Sequence, residues 1–398
     1  MKRATRILAA LLCVLLLLPT LALAESAPSL KKQIAQSAEG MSALGGKKGE
    51  LLKDRELFPA GDSVCDWLAI AMALSGTRES YSDYLAGLKA HVEDAYAKNG
   101  CLDRNKATEY HRISLTVLAL GGNPTNFGTK PDGSAIDLIA EGTYNYARDP
   151  GAQGLNGWIW ALLTLDAGDT EVPDDARYSR EDMVNAISVA QEPDGGFGLI
   201  PGKSDVDITA MAVQALAPYR DRLETEIDAA LTYLSGQLTD TCGYIAYGDE
   251  NAESTAQVIL ALCALGIDPE TDSRFVKGEH TLLTELSQFR EADGTYRHVL
   301  EGAGDGLTDL GAEALRLMER LGMLVDVSHA SEKTFWDVVA HTEKPFIASH
   351  SNAWSLCHAK RNLKDDQIRA IAERGGIIGM NAWGSFIDPV HATVDRLG

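Results

Sequence analysis

A glutamine-led turn recurs in the middle of the chain, each time ahead of an Ala/Leu-rich stretch. This repeat limits the fold more than any other feature. Gln191-Glu-Pro-Asp-Gly-Gly-Phe197 precedes Thr209-Ala-Met-Ala-Val-Gln-Ala-Leu-Ala217. Gln237 precedes Cys242-Gly-Tyr244 and then Ser254-Thr-Ala-Gln-Val-Ile-Leu-Ala-Leu262. Gln288-Phe-Arg-Glu-Ala-Asp-Gly-Thr-Tyr296 opens a third round, so the glutamines stand 46 and 51 residues apart. Weaker copies occur at Arg112-Ile-Ser-Leu-Thr-Val-Leu-Ala-Leu120 and Trp158-Ile-Trp-Ala-Leu-Leu-Thr-Leu-Asp166. A period of this size predicts stacked helix pairs. The Ala/Leu-rich helix is apolar nearly all round and is expected inside, with a more polar partner such as Arg180 to Ala190 outside.

The chain opens as an exported protein does. Lys2, Arg3 and Arg6 precede the apolar run Ile7 to Leu18, and Ala22-Leu-Ala24 offers small residues for cleavage after Ala24. Cys13 follows Leu12 inside the apolar run, which argues against a lipid anchor. No second run is long enough to span a bilayer. The expectation is a secreted or cell-surface bacterial protein. Residues 25–300 carry a net charge of −20 and residues 301–398 one of −4, which makes nucleic acid an improbable partner. Five cysteines remain after cleavage: Cys65, Cys101, Cys242, Cys263 and Cys357. Their spacing matches neither a disulfide framework nor a thiolate zinc site, so they receive no role.

The last quarter has another texture. Met323-Leu-Val-Asp-Val-Ser-His329 and Pro345-Phe-Ile-Ala-Ser-His350 are apolar, strand-like runs that each end on histidine. Ser331 is placed to cap a helix between them. The order strand, helix, strand, helix, strand puts each histidine at a strand's C-terminal end, where βα barrels carry their chemistry. Two imidazoles on neighbouring strand ends can share a metal ion.

Residues 60–300 resemble the α/α toroid of terpene cyclases and prenyltransferases. They are more similar still to exported bacterial toroids that look like the helical domain of cobalamin carriers. The repeated Asp-Gly-Gly-Phe-type turn, Ala252-Glu-Ser-Thr-Ala-Gln-Val258 and Leu265-Gly-Ile-Asp-Pro269 carry this resemblance. It implies a fold more firmly than an activity. There is no Asp-x-Asp-Asp-like cluster suited to a cyclase acid, and Asp205-Val-Asp207 reads as a helix-capping pair. A cobalamin carrier of this type also needs a β-rich covering domain, which the sequence does not offer.

Gly306 to about Asn381 resembles the membrane (renal) dipeptidase family, through Leu321-Gly-Met-Leu-Val-Asp-Val-Ser-His329, Ile347-Ala-Ser-His-Ser-Asn-Ala353 and Arg361-Asn362. The resemblance implies a zinc-dependent βα barrel with two metal ions. It makes His329 and His350 metal ligands, and Arg361 the clasp for the substrate's terminal carboxylate. Neutral imidazole suits zinc, and a guanidinium fork suits a carboxylate. Asp326 is expected to orient a strand end, His341 and His358 to be solvated, and Cys357 to pack. The family's His-x-Asp pair has no counterpart here, since none of the nine histidines is followed two places later by Asp. Its bridging carboxylate, further histidine and late-strand aspartate fall outside the matching segment. No catalytic residue is assigned.

The expected architecture is multidomain. A signal at 1–24 and a helix-plus-linker at 25–60 precede an all-α toroid at 61–303 and a partial α/β, TIM-like barrel at 304–398. Three strands of eight cannot close a barrel. Both domains read as cut near Gly304-Asp-Gly306, as in a fused or misassembled reading frame. The expected function is zinc-dependent hydrolysis of dipeptides, with little or no turnover by this chain. The alternative is a secreted binding module whose toroid takes a small ligand such as a corrinoid or polyisoprenoid.

Overall fold

The computed structural model describes residues 27–43, 49–56, 58–246, 249–292, 294–299, 306–307, 309–359, 362–381 and 387. The expected signal at 1–24 lies outside them, as do Gly304 and Asp305 of the expected join. The chain divides into two compact units, one up to residue 300 and one from residue 301.

The first unit is helical. Its helices are α1 (Ala27–Ala43), α2 (Ser63–Leu74), α3 (Tyr81–Asn99), α4 (Ala107–Ala119), α5 (Leu138–Gly142), α6 (Asn156–Ala167) and α7 (Arg180–Ser188). After them come α8 (Val206–Leu216), α9 (Glu224–Gly236), α10 (Ala252–Ala264) and α11 (Leu282–Gln288). Alternate helices pack side by side in the order α2, α4, α6, α8, α10, and α11 packs on α10. Burial separates an inner from an outer set: eight of the 11 residues of α8 are buried, against four of the 13 in α9. Small Ala and Thr side chains at positions such as Ala210, Ala212 and Thr209 let these inner helices approach closely.

The repeated turn explains the period. In each copy an amide reaches the carbonyl four residues on: Glu192 to Gly196, Thr239 to Gly243 and Glu291 to Thr295. The fourth residue of each turn has positive φ: Gly195 at 86°, Cys242 at 66° and Gly294 at 86°. A Cβ on Gly195 would lie 2.6 Å from the Ala229 carbonyl oxygen, so this position needs glycine for space as well as for φ. Each turn delivers one buried aromatic ring, Phe197, Tyr244 and Tyr296. Burying such a ring contributes about 1.5–3 kcal/mol. After the first two turns the chain forms a capped inner helix. Asp205 accepts from the Ile208 amide and Asn251 from that of Ser254. Short antiparallel pairs bridge these two turns and their caps: β1 (Phe197–Ile200) with β2 (Lys203–Asp205), and β3 (Ile245–Ala246) with β4 (Asp249–Glu250); a third pair, β5 (Val276–Lys277) with β6 (His280–Thr281), precedes the third turn and leads into α11, which Thr281 caps by accepting from the Thr284 amide.

Two expectations need correction here. Asp205 is a cap, but Asp207 is not. It sits in the first turn of α8, where burial pushes its carboxyl up to about 6 against the pull of Ser254. The segment from residue 27, expected as a helix and linker, does more than link. Ile34, Ala38 and Met41 of α1 are buried in the main core, and Arg290 from the last turn donates to Gln36 at 2.8 Å. A helix with an apolar stripe finds a partner surface when one is within reach.

The second unit alternates helices with short parallel segments. Its helices are α12 (Asp309–Leu321), α13 (Glu332–His341) and α14 (Asp365–Glu373). Ser331 caps α13 by accepting from the Thr334 amide at 3.0 Å. Residues 325–327, 346–351 and 377–379 run parallel and in that order, through the bridges Asp326 to Ile347 and Ala348 to Ile378. These are isolated bridges where the sequence predicts full strands. The first segment ends because His329 turns into left-handed backbone, which breaks the ladder after Val327. Gly376 and Gly379 let the third segment close on the second, since a Cβ would lie 2.0 Å from the Phe346 carbonyl oxygen and 2.1 Å from that of Ser349. Val325, Val327, Phe335, Val338, Phe346 and Ile371 form the core beneath.

Candidate metal site

The first two parallel segments end side by side, and their last residues meet. His329 and His350 bring their Nε2 atoms to 3.1 Å, with ring planes tilted by 58°. His329 achieves this at a φ of 73°, a conformation that costs a non-glycine residue on the order of 1–3 kcal/mol.

A carboxylate organises the pair from behind. Asp326 accepts from the Ser328 amide at 2.9 Å, the Ser349 amide at 3.0 Å and the Ser349 hydroxyl. Burial pushes its carboxyl up, but these hydrogen bonds outweigh it and hold the group down at about 2. Asp326 is therefore an acceptor at neutral pH, and the Ser349 hydroxyl must donate to it. The same hydroxyl lies 2.7 Å from His350 Nδ1, so Nδ1 carries the proton there. That tautomer turns the His350 Nε2 lone pair towards His329. The Ser328 hydroxyl accepts from the His350 amide at 3.1 Å and fixes the backbone.

The arrangement matches two positions around one zinc ion. Nitrogen donors about 2.0–2.1 Å from a shared ion and 3.1 Å apart subtend roughly 100°, close to tetrahedral. Among the described residues, no group of three His, Cys, Asp or Glu side chains stands close enough to share a metal. The pair therefore fits part of a zinc shell and does not fill one.

Arg361, expected to clasp a carboxylate, lies outside the described residues. Its neighbour Asn362 is buried and donates to the Cys357 carbonyl at 2.8 Å. Cys357 is buried, His341 ends α13, and His358 is an exposed loop residue stacked on Trp354 at 4.0 Å. Sequence reasoning placed the two histidines and Asp326 but passed over Ser349. Its position beside a strand-end histidine is the only signal it gives. All five described cysteines are free thiols. Among the described residues no helix is long and apolar enough to cross a membrane.

Residues 283–397 match the family model for membrane dipeptidase, peptidase family M19. An uncharacterized protein in the pqqA 5' region of Klebsiella pneumoniae is 45% identical over 84 residues, covering 21% of this chain and 31% of that protein. An uncharacterized dipeptidase of Schizosaccharomyces pombe is 40% identical over 82 residues, covering 21% and 20%. Among solved structures, the dipeptidase AC, a family M19 metallopeptidase, is 34% identical over 25% of this chain and 30% of its own, with a TM-score of 0.22. A metallopeptidase from Rhodobacter sphaeroides bound to a phosphinate mimic of L-Ala-D-Ala is 23% identical over 56% and 62%, also at 0.22. The chain thus spans about a third or less of the length of the curated relatives it matches. Residues 283–397 are thus similar to a metallopeptidase family.

Proposed function

We propose that the C-terminal unit is a zinc-binding dipeptidase segment in which His329 and His350 share one ion. The observation that carries this reading is the Nε2–Nε2 approach of 3.1 Å at paired segment ends, backed by the Asp326–Ser349–His350 relay. A bound zinc supplies a Lewis acid for a peptide carbonyl and lowers the pKa of a bound water. The chain's own residues do the positioning. Asp326 and Ser349 hold the His350 proton on Nδ1, and the strained His329 backbone aims its ring at the same point. Arg361 clasps the terminal carboxylate of a dipeptide, and a clasp of that chemistry favours short substrates. A second zinc ion belongs to the same reading and draws on donors other than these two histidines.

The chain as it stands turns dipeptides over slowly or not at all, because two imidazoles leave half of a tetrahedral shell to other donors. The helical unit is an α/α toroid by the same proposal, carried by its alternating inner and outer helices, and the protein is exported. The test is zinc retained after dialysis of the full chain, together with hydrolysis of L-Ala-D-Ala. Zinc is expected to bind, to be lost in His329→Ala and His350→Ala, and to support little turnover. Equal zinc content in all three proteins would sink the ligand assignment. Rapid hydrolysis abolished by His329→Ala would overturn the expected inactivity.

A further inference from the structure

The helical unit holds a cavity of about 530 Å³ far in sequence from the histidines. It lies between the loop after α3, the first turn of α4, α5 and the loop 145–148. A volume of this size takes a small organic molecule. Its charge is the informative feature. The acids on its wall are already committed. Glu141 accepts from the Tyr96 hydroxyl at 2.8 Å and pairs with Lys130 at 2.9 Å. Asp103 accepts from the Asn105 and Lys106 amides at 2.7 and 2.8 Å.

The cations are not committed. Arg104 and Arg148 line the same cavity and are exposed. Each gives one donor to an uncharged oxygen, Arg104 to the Asn99 carbonyl at 2.9 Å and Arg148 to the Asn105 side chain at 2.8 Å. A guanidinium has five donors, so most of each fork stays available. Two such groups lining one cavity without a carboxylate partner stand out in a region with a net charge of −20. Among the described residues neither forms an ion pair.

Tyr146 supplies the third donor. It is 3% exposed and its hydroxyl has no hydrogen-bond partner among the described residues. Burial pushes the phenol up from its ordinary value, with Asp103 adding to the rise and Arg148 opposing it, and both of those residues share the wall. An unsatisfied buried hydroxyl is costly and marks a place where a partner is missing. The wall is also tied to its surroundings. Arg177 donates to the Ala147 carbonyl and Tyr178 to that of Arg148, and the Tyr146 ring meets Tyr110 edge to face at 5.9 Å.

We propose that this cavity binds a small organic oxyanion, a carboxylate or a phosphate monoester, between Arg104 and Arg148 with the Tyr146 hydroxyl as a further donor. The test is calorimetric titration of the full chain at fixed ionic strength with benzoate, phenyl phosphate and neutral benzyl alcohol. At least one anion is expected to saturate with a Kd of about 1 mM or tighter, and benzyl alcohol is not. Preference for benzoate identifies a carboxylate ligand, and preference for phenyl phosphate a phosphate monoester. Arg148→Gln should weaken binding about tenfold or more, as expected for a charged hydrogen bond. Tyr146→Phe should weaken it by about 2–10-fold, the worth of one neutral hydrogen bond, while leaving thermal stability unchanged or higher. The proposal fails if neither anion saturates by about 10 mM. It fails equally if saturation survives both substitutions, since the anion would then sit elsewhere.

Discussion

Asp66→Ala should be among the most damaging single substitutions in the helical unit. Asp66 sits in the first turn of α2 with no exposed surface. Its carboxylate accepts from Arg112 Nε at 3.0 Å, the Tyr84 hydroxyl at 2.7 Å and the Gly61 amide at 3.0 Å. Arg112, 46 residues later on α4, also reaches the Gly61 carbonyl at 2.9 Å and Glu109 at 2.8 Å. Burial pushes the Asp66 carboxyl up and Arg112 opposes it, so the pair holds its charges only together. Removing Asp66 leaves a guanidinium only 6% exposed and two further donors without their acceptor. Breaking such a buried pair costs about 3–5 kcal/mol. Glu109 rescues little of this, because it is about a third exposed and solvent screens it. For a unit of this size the loss corresponds to a fall in melting temperature of roughly 6–20 °C. Urea unfolding followed by tryptophan fluorescence is a suitable assay, since Trp67 adjoins Asp66 and packs on Trp160 at 5.2 Å. The paired replacement Asp66→Leu with Arg112→Met removes both charges and should be far milder than Asp66→Ala. A loss below about 1 kcal/mol for Asp66→Ala, or a double variant as unstable as the single, would refute the reasoning.

Three further outcomes follow from single groups. His111 is buried, its Nε2 donates to the Gly142 carbonyl at 2.7 Å, and burial lowers its imidazole to about 4. The unfolded chain takes up that proton near pH 6.5, so stability should fall with acid between about pH 6.5 and 4, by up to about 3 kcal/mol. His111→Gln should flatten this slope in denaturation curves at pH 7, 5.5 and 4. Glu285 is 1% exposed and burial, with Glu250 adding, pushes its carboxyl up to about 7. Its contribution is present in acid and lost as pH rises from about 4.5 through 7, so Glu285→Gln should raise the melting temperature at pH 8 and change it little at pH 4. Ser349→Ala should weaken zinc binding about 10–100-fold in competition with a chromogenic chelator, with stability unchanged because Ser349 is exposed. Unaltered zinc affinity would show that the relay does not hold His350.

The repeat was legible because local rules and packing agree within it. The glutamine-led turn, the buried ring after it and the capped inner helix all follow from short-range chemistry, and Phe197, Tyr244 and Tyr296 are buried as that pattern requires. Contacts between distant residues were not legible. Nothing in the sequence joins Asp66 to Arg112, or α1 to the last turn through Gln36 and Arg290. Asp207 was misassigned for a related reason. Its spacing from Asp205 is that of a cap pair, and only the packing of α10 against α8 decides that it is half-buried. In the C-terminal unit the two histidines could be placed from their strand ends, whereas the Ser349 hydroxyl required the register between segments. One residue of slip would turn it to the other face.

Three described non-glycine residues have positive φ: Asp169, Cys242 and His329. Two of them separate cleanly by cause. Cys242 occupies the place that Gly195 and Gly294 hold in the other turns, so the repeat imposes its conformation and the thiol is incidental. His329 belongs to no repeat. The turn after Val327 would accept glycine more readily, and left-handed backbone disfavours an imidazole there. The conformation nevertheless brings Nε2 to 3.1 Å from that of His350. A strained histidine facing a second histidine whose tautomer a carboxylate relay fixes is a costly arrangement for a purely structural role. His329→Gly separates the two accounts. Relief of strain should leave the unit as stable or up to about 1 kcal/mol more so, while zinc binding disappears. If glycine instead destabilised the unit as a core truncation does, the histidine would be there for packing, and the metal reading would lose its strongest support.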